Sequence, residues 1–213
     1  MPREYILHKV RTALGRSAGQ APAPAPEVRL SIPEWDFEAR WRRFADALEK
    51  LGGKPERVPT REAARRRVAE LVGDGPAVAS DAPYLAECGI SGLPAVASGF
   101  KDAAALRAAC ASAHYGITSA DYALADTGTL VLLCSSQEPR LVSLLPPVHV
   151  AVLPAGRMLT GLDELLAILP QPAERTSAMV LITGPSRTAD IEQILVRGVH
   201  GPGEVHVIVV EQE

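Results

Sequence analysis

The sequence predicts an α/β layer fold with a largely parallel sheet covered on both faces. Two observations carry that expectation. Short apolar runs bounded by turn residues alternate, through most of the chain, with stretches whose apolar residues recur at helical spacing. At 213 residues the chain is long enough to bury a real core, and it holds no internal repeat. In folds of this class ligands collect near the carboxyl ends of the strands.

Residues 3 to 14 set Ile6, Leu7, Val10 and Leu14 on one helical face, a short amphipathic helix ending near Gly15. The stretch APAPAPE, residues 21 to 27, favours extended polyproline backbone and is the one clear linker. The expected division is therefore 1–27, helix and Pro-rich linker, and 28–213, an α/β domain. A helix this short is marginal alone; it folds back on its domain, docks on a partner or second subunit, or stays mobile.

Phe37, Trp41, Phe44, Leu48 and Leu51 follow at alternating spacings of four and three, which predicts a helix over 34–51 with a core-facing aromatic stripe, stopped by Gly52-Gly53. A second helix runs from a Thr60 cap to Val72. Strands are predicted at 77–79, 93–97, 116–118, 122–125, 129–134, 148–153, 179–182 and 205–210, with helices near 83–88, 102–112, 138–144, 162–169 and 188–197. Only Asp126-Thr127-Gly128 separates 122–125 from 129–134, too little for a crossover, so an antiparallel hairpin or corner inserted in the sheet is expected.

Composition narrows the function classes. A net charge of −3 suggests neither a nucleic-acid nor a membrane-surface partner, and Arg65-Arg66-Arg67 reads as a solvated helix face. Aromatic residues, at 4%, are too few for a base-stacking platform. Cys88, Cys110 and Cys134 lie far apart with no Cys-x-x-Cys pair, so neither a zinc ribbon nor a self-contained iron–sulfur site is readable, and their sparse, odd number fits a reducing cytosol. The N-terminus lacks an apolar h-region, and no segment reaches the ~20 apolar residues of a membrane span. A cytoplasmic protein is expected.

The stretch from Met179 to Gly203 reads as strand, tight loop, helix, with Gly184-Pro185-Ser186 as the loop and Ile191, Ile194 and Leu195 at helical spacing. A helix start offers unpaired amides and a positive dipole end, so Ser186, Arg187 and Thr188 surround a place suited to an anion; simple capping, with Asp190 in the first turn, is the plainer alternative. The turn Asp126-Thr127-Gly128-Thr129 offers a carboxylate as base, nucleophile or hydroxyl acceptor, or else only bonds its local backbone. Asp-Thr-Gly also occurs in aspartic proteases, which need a second such carboxylate, and none is present. His200, among glycines in VHGPG, is placed to approach a ligand, whereas His149 in PPVHV and His206 suit hydrogen-bonded strand positions. No nucleophile elbow, Walker loop or Gly-x-Gly-x-x-Gly occurs.

The segments SADYALADTGTLVLL, LLPPVHVAVLP and ITGPSRTADIEQILVRGVHGPGEVHVIVV, in that order, closely resemble the LUD-domain family, and within it the lactate-utilisation protein C branch. The N-terminal helix and variable linker are similar too. That resemblance implies a three-layer sandwich like the NagB/RpiA/CoA-transferase group, and a role in oxidising L-lactate to pyruvate beside two iron–sulfur companion proteins. This chain would be the member without clusters or other cofactors, an assembly or accessory subunit or part of the catalyst. The signature positions it implies are Asp126, Thr127, Gly128, Thr129, His149, Gly184, Pro185, Ser186, Arg187, Thr188, Asp190, His200, Gly201 and Pro202. The family more often carries glutamate where Asp126 stands. One methylene less would displace an attacking oxygen by about 1 Å, at a cost on the order of a hundredfold in rate, which favours a binding or structural role. The alternative reading is a sugar-phosphate or acyl-CoA-type transferase or isomerase using Asp126.

Overall fold

The computed structural model describes residues 2–21, 32–188 and 196–212. The chain divides into two compact units, Met1–Ser31 and Ile32–Glu213. The first contains helix α1 (Arg3–Ala13), none of whose residues is buried; Tyr5, Ile6, Val10 and Leu14 are exposed. The second carries all remaining elements.

Helix α2 (Phe37–Lys50) opens at Asp36, whose carboxylate accepts the Ala39 amide at 2.8 Å, and stops where Gly52 adopts φ +83°. Then come β1 (Lys54–Val58), α3 (Arg61–Val72), β2 (Ala77–Ala79), α4 (Pro83–Glu87), β3 (Val96–Ala97), α5 (Ala103–Ser112) and β4 (Tyr115–Ser119). After these follow β5 (Tyr122–Leu124), β6 (Thr129–Leu133), α6 (Leu141–Leu144), β7 (Val148–Pro154), β8 (Met158–Leu159) and α7 (Leu162–Ile168). The chain ends with β9 (Met179–Ile182), β10 (Arg187–Thr188), β11 (Val196–Arg197) and β12 (Glu204–Val210).

Six strands form one sheet in the order β1-β12-β7-β4-β2-β3, and every pairing in it is parallel. Every residue of β7 is buried, as a strand covered on both faces requires. Val148, Val150 and Val152 point to one side, where Ala64, Val68 and Val72 of α3 and Leu85 of α4 cover them. Ala151, Leu153 and the alternate residues Val205, Val207 and Val209 point to the other, onto Phe44 and Leu48 of α2 and Leu130 and Leu132 of β6. Farther along that side, Cys110 of α5 and Val142 of α6 pack on Val78. A Cβ on Gly116 would stand 2.0 Å from the Val142 carbonyl oxygen, so only glycine lets α6 approach β4 this closely.

The Asp126–Gly128 turn does join an antiparallel pair, but not as an insertion in the main sheet. β5 and β6 belong to a separate four-stranded sheet, β8-β5-β6-β9, with β6 and β9 also antiparallel. The hairpin is apolar on both faces: Leu130 and Leu132 meet the main sheet, while Leu124 and Val131 meet Leu165 and Leu169 at α7. It therefore needs a cover on each side, which the main sheet and α7 supply.

The helix expected at 188–197 is corrected at both ends. Arg187 pairs with Arg197 and Thr188 with Val196 in an antiparallel ladder, so the chain is extended where the helix was to start and stop. Residues 189–195, Asp190 among them, lie outside the described residues.

Candidate functional site

The structure gathers the hydroxyl- and glycine-rich loops around the end of α2. Gly128 adopts φ +65°, and a Cβ there would lie 2.6 Å from the Leu48 backbone nitrogen, so the turn rests directly on the helix. Thr127 Oγ1 donates to Asp126 at 3.1 Å and lies 2.8 Å from Thr129 Oγ1, which lies 2.9 Å from Thr183 Oγ1. That chain of hydroxyls ties the acidic turn to the residue preceding Gly184. Gly184, at φ +79°, sits against Leu51, and Pro185 after it is buried.

An anion site built from a helix start is not what these loops make. The Ser186 amide donates to the Pro202 carbonyl at 2.9 Å, and the Ser186 carbonyl accepts the Gly198 amide at 3.0 Å. Arg187 and Thr188 are strand residues, so among the described residues they do not form the helix start expected there. The Arg187 and Arg197 guanidinium groups instead crowd Gly52 at the carboxyl end of α2, a position that favours cations. Gly201 packs near Ser186, His200 is exposed, and Asp126 is exposed on its turn. His149 stands apart inside the sheet, fully buried, with Nε2 2.8 Å from Thr118 Oγ1 and, among the described residues, no partner for Nδ1. Burial lowers its pKa to about 4, which keeps the ring neutral.

A different set of residues meets in a cleft of about 440 Å³ beyond the carboxyl ends of β2, β4 and β7. The charged and phenolic lining groups come from segments that follow strands. Arg61 opens α3 after β1, Tyr84 lies in α4 after β2, Asp121 follows β4, Glu138 follows β6, and Arg157 follows β7. The Glu138 carboxyl is 6% exposed; its Oε2 accepts the Ser80 hydroxyl at 2.8 Å and the Ser119 amide at 3.2 Å. Burial pushes its pKa to about 8, aided by the charges of Asp121 and Asp81 and opposed by those two hydrogen bonds. Asp121 is raised as well, by burial, although its Oδ2 accepts the Leu133 amide at 2.6 Å and the Arg157 charge opposes the shift.

Arg157 lies over the Tyr122 ring at 5.4 Å, and Arg61 pairs with Glu87 at 3.3 Å. The Tyr84 hydroxyl is close enough to Arg61 and Cys88 to feel their charges but makes no hydrogen bond of good geometry, and burial raises its pKa. Among the described residues, Arg61 Nε, Tyr84 OH and Glu138 Oε1 are all buried without a partner, and all three belong to this cleft. Guanidinium groups suit a carboxylate or phosphate, and a neutral carboxyl adds a hydrogen-bond donor.

No motif marks Arg61, Tyr84, Asp121, Glu138 or Arg157: Glu138 and Arg157 sit in the loop segments SSQEPR and AGR, Arg61 and Tyr84 at the starts of expected helices, and Asp121 just before an apolar run. The available signal was position: polar residues just past the apolar runs, where an α/β sheet opens to ligands. Among the described residues no group of His, Cys, Asp and Glu is placed to hold a metal, and no helix is long and apolar enough to cross a membrane.

Fold and cleft together define an α/β protein with a polar crevice at the carboxyl edge of a parallel sheet. A family model described as the LUD domain matches residues 41–210, and the chain belongs to that family. It is 30% identical to Lactate utilization protein C of Geobacillus kaustophilus, with 98% of this chain and 95% of that protein covered. The protein of that name from Bacillus velezensis is 26% identical over the same shares. Among solved structures, a DUF162 family protein from Deinococcus radiodurans superposes with a TM-score of 0.63 over 83% of this chain and 99% of its own, at 19% identity, a likeness of fold.

Proposed function

We propose that this chain serves in the oxidation of L-lactate to pyruvate as the cluster-free member of a three-protein system, beside two iron–sulfur companions. The observation that carries the reading is similarity from end to end to proteins named Lactate utilization protein C. Cys88 and Cys110, each buried on a different element, and the partly exposed Cys134 support placing the redox centres in the partners. The chain's own part is then to hold a small anionic ligand, or to dock, within the cytoplasm. Its fold is read as a relative of the NagB/RpiA/CoA-transferase group, whose chemistry varies too widely to name an activity. Transferase chemistry on Asp126 is the weaker reading, since that carboxylate is exposed on a turn and bonded to Thr127.

The test is genetic. Deleting the gene from its host is expected to abolish growth on L-lactate while leaving growth on pyruvate intact, with rescue by a plasmid copy. Unchanged growth on lactate would remove the proposal.

A further inference from the structure

We infer that the cleft beyond β2, β4 and β7 binds a small 2-hydroxy or 2-oxo monocarboxylic acid, its carboxylate held by Arg61 and Arg157 and its 2-oxygen by Glu138 and Tyr84. The acid class rests on the proposed place in lactate oxidation; the existence of a ligand site rests on the cleft alone. Buried polar atoms in folded proteins are nearly always paired, and each one left over asks for an explanation. Here the donor Nε of Arg61, the hydroxyl of Tyr84 and Oε1 of Glu138 are left over around one cavity. A polar ligand with acceptors at one end and an oxygen at the other satisfies them together.

The chemistry of each group matches its task. Both Glu138 side-chain contacts within the protein are donors to Oε2, so the proton of the neutral acid is left to Oε1, the buried atom without a partner. The carboxyl is held in place by the loop that carries it. Ser135 Oγ accepts the amides of Gln137 and Glu138 at 3.2 and 3.0 Å, and the Gln137 carbonyl accepts the Asp81 amide at 2.8 Å, which fastens the loop to the end of β2. Arg157 spends an N–H on the Tyr122 hydroxyl at 3.4 Å, and its exposed guanidinium keeps further donors for a carboxylate. At about 440 Å³ the cavity falls in the size range of small-molecule sites, about 300–1,000 Å³.

The test is calorimetric titration of the full chain at neutral pH with L-lactate, pyruvate, acetate and inorganic phosphate. L-Lactate or pyruvate is expected to bind, and acetate, which lacks the 2-oxygen, to bind several-fold more weakly. Arg157→Ala is expected to weaken binding about tenfold or more, the effect of losing a charge-assisted hydrogen bond. Glu138→Gln, which keeps a donor, is expected to retain affinity, whereas Glu138→Leu loses it; near-UV circular dichroism verifies that each variant is folded. Binding of phosphate alone, or equal binding of acetate, would overturn the acid class. If no acid binds the purified chain although growth on lactate requires the gene, the inference fails and the place in lactate oxidation stands.

Discussion

Glu138→Gln isolates the energetic cost of the cleft. The Glu138 carboxyl keeps its proton to about pH 8 in the folded chain, against an ordinary 4.5. Between those values the folded state binds one proton more than the unfolded, so stability falls as pH rises through the window and is level on either side. At about 1.4 kcal/mol per pH unit, the full window amounts to about 5 kcal/mol, an upper figure for a group this buried. For a chain of this size that is about 10–20 °C in Tm. Neutral glutamine keeps the acceptor for Ser80 and Ser119 and carries no titration. Thermal melts of both proteins from pH 5 to pH 9 are expected to show Glu138→Gln gaining steadily on the wild type up to about pH 8, then holding a constant lead. The difference between variants is the quantity to read, because His149 contributes an opposite slope below pH 6.5. Parallel curves across the range would show that the carboxyl ionises as an ordinary glutamate and would refute the neutral-acid account of the cleft.

His149 itself, with its pKa lowered to about 4 by burial, is expected to stay neutral in the NMR spectrum until well below the range where exposed imidazoles titrate. Its contribution is complete above pH 6.5 and is lost as pH falls toward 4, about 3 kcal/mol in all; a midpoint near 6.5 would contradict it. Leu48→Ala, at a fully buried position between α2 and the second sheet, is expected to cost about 2–5 kcal/mol in urea unfolding. Gly128→Ala, with φ +65° and no room against the Leu48 backbone, is expected to cost more than about 1 kcal/mol, and a neutral result would mean the turn does not rest on α2. Thr183→Val breaks the hydroxyl chain from Thr127 and is expected to cost about 1 kcal/mol.

The core of this fold is legible where burial is two-sided or strictly periodic. The runs at β7, β9 and β12 announce themselves because nearly every residue is apolar, and α2 because its aromatic stripe keeps helical spacing. Strand β1, KPERV, is hidden for the opposite reason: it is an edge strand, paired only to β12, and its polar side chains need no apolar pattern. Strand β8 of the second sheet and strand β10 of the separate β10-β11 ladder are hidden because each is two residues long and no period is readable at that length. Loop chemistry misled in the same way. Gly184 through Thr188 has the composition of a helix start, yet the Ser186 amide is taken by Pro202 in the loop after β11, a pairing no helical pattern encodes. The cleft is assembled from residues between 61 and 157, and only the strand order brings their segments to one edge of the sheet.

Membership of this chain in the machinery that turns L-lactate into pyruvate can be measured in a reconstituted system. Its most direct test is lactate-dependent dye reduction by the two iron–sulfur companions, purified from a host lacking this gene, with and without the chain added back. Reduction is expected to be slow or absent with the companions alone and restored by the wild-type chain, with the companions co-purifying on it. Full activity without the chain, and no association with it, would show that lactate oxidation does not need this protein.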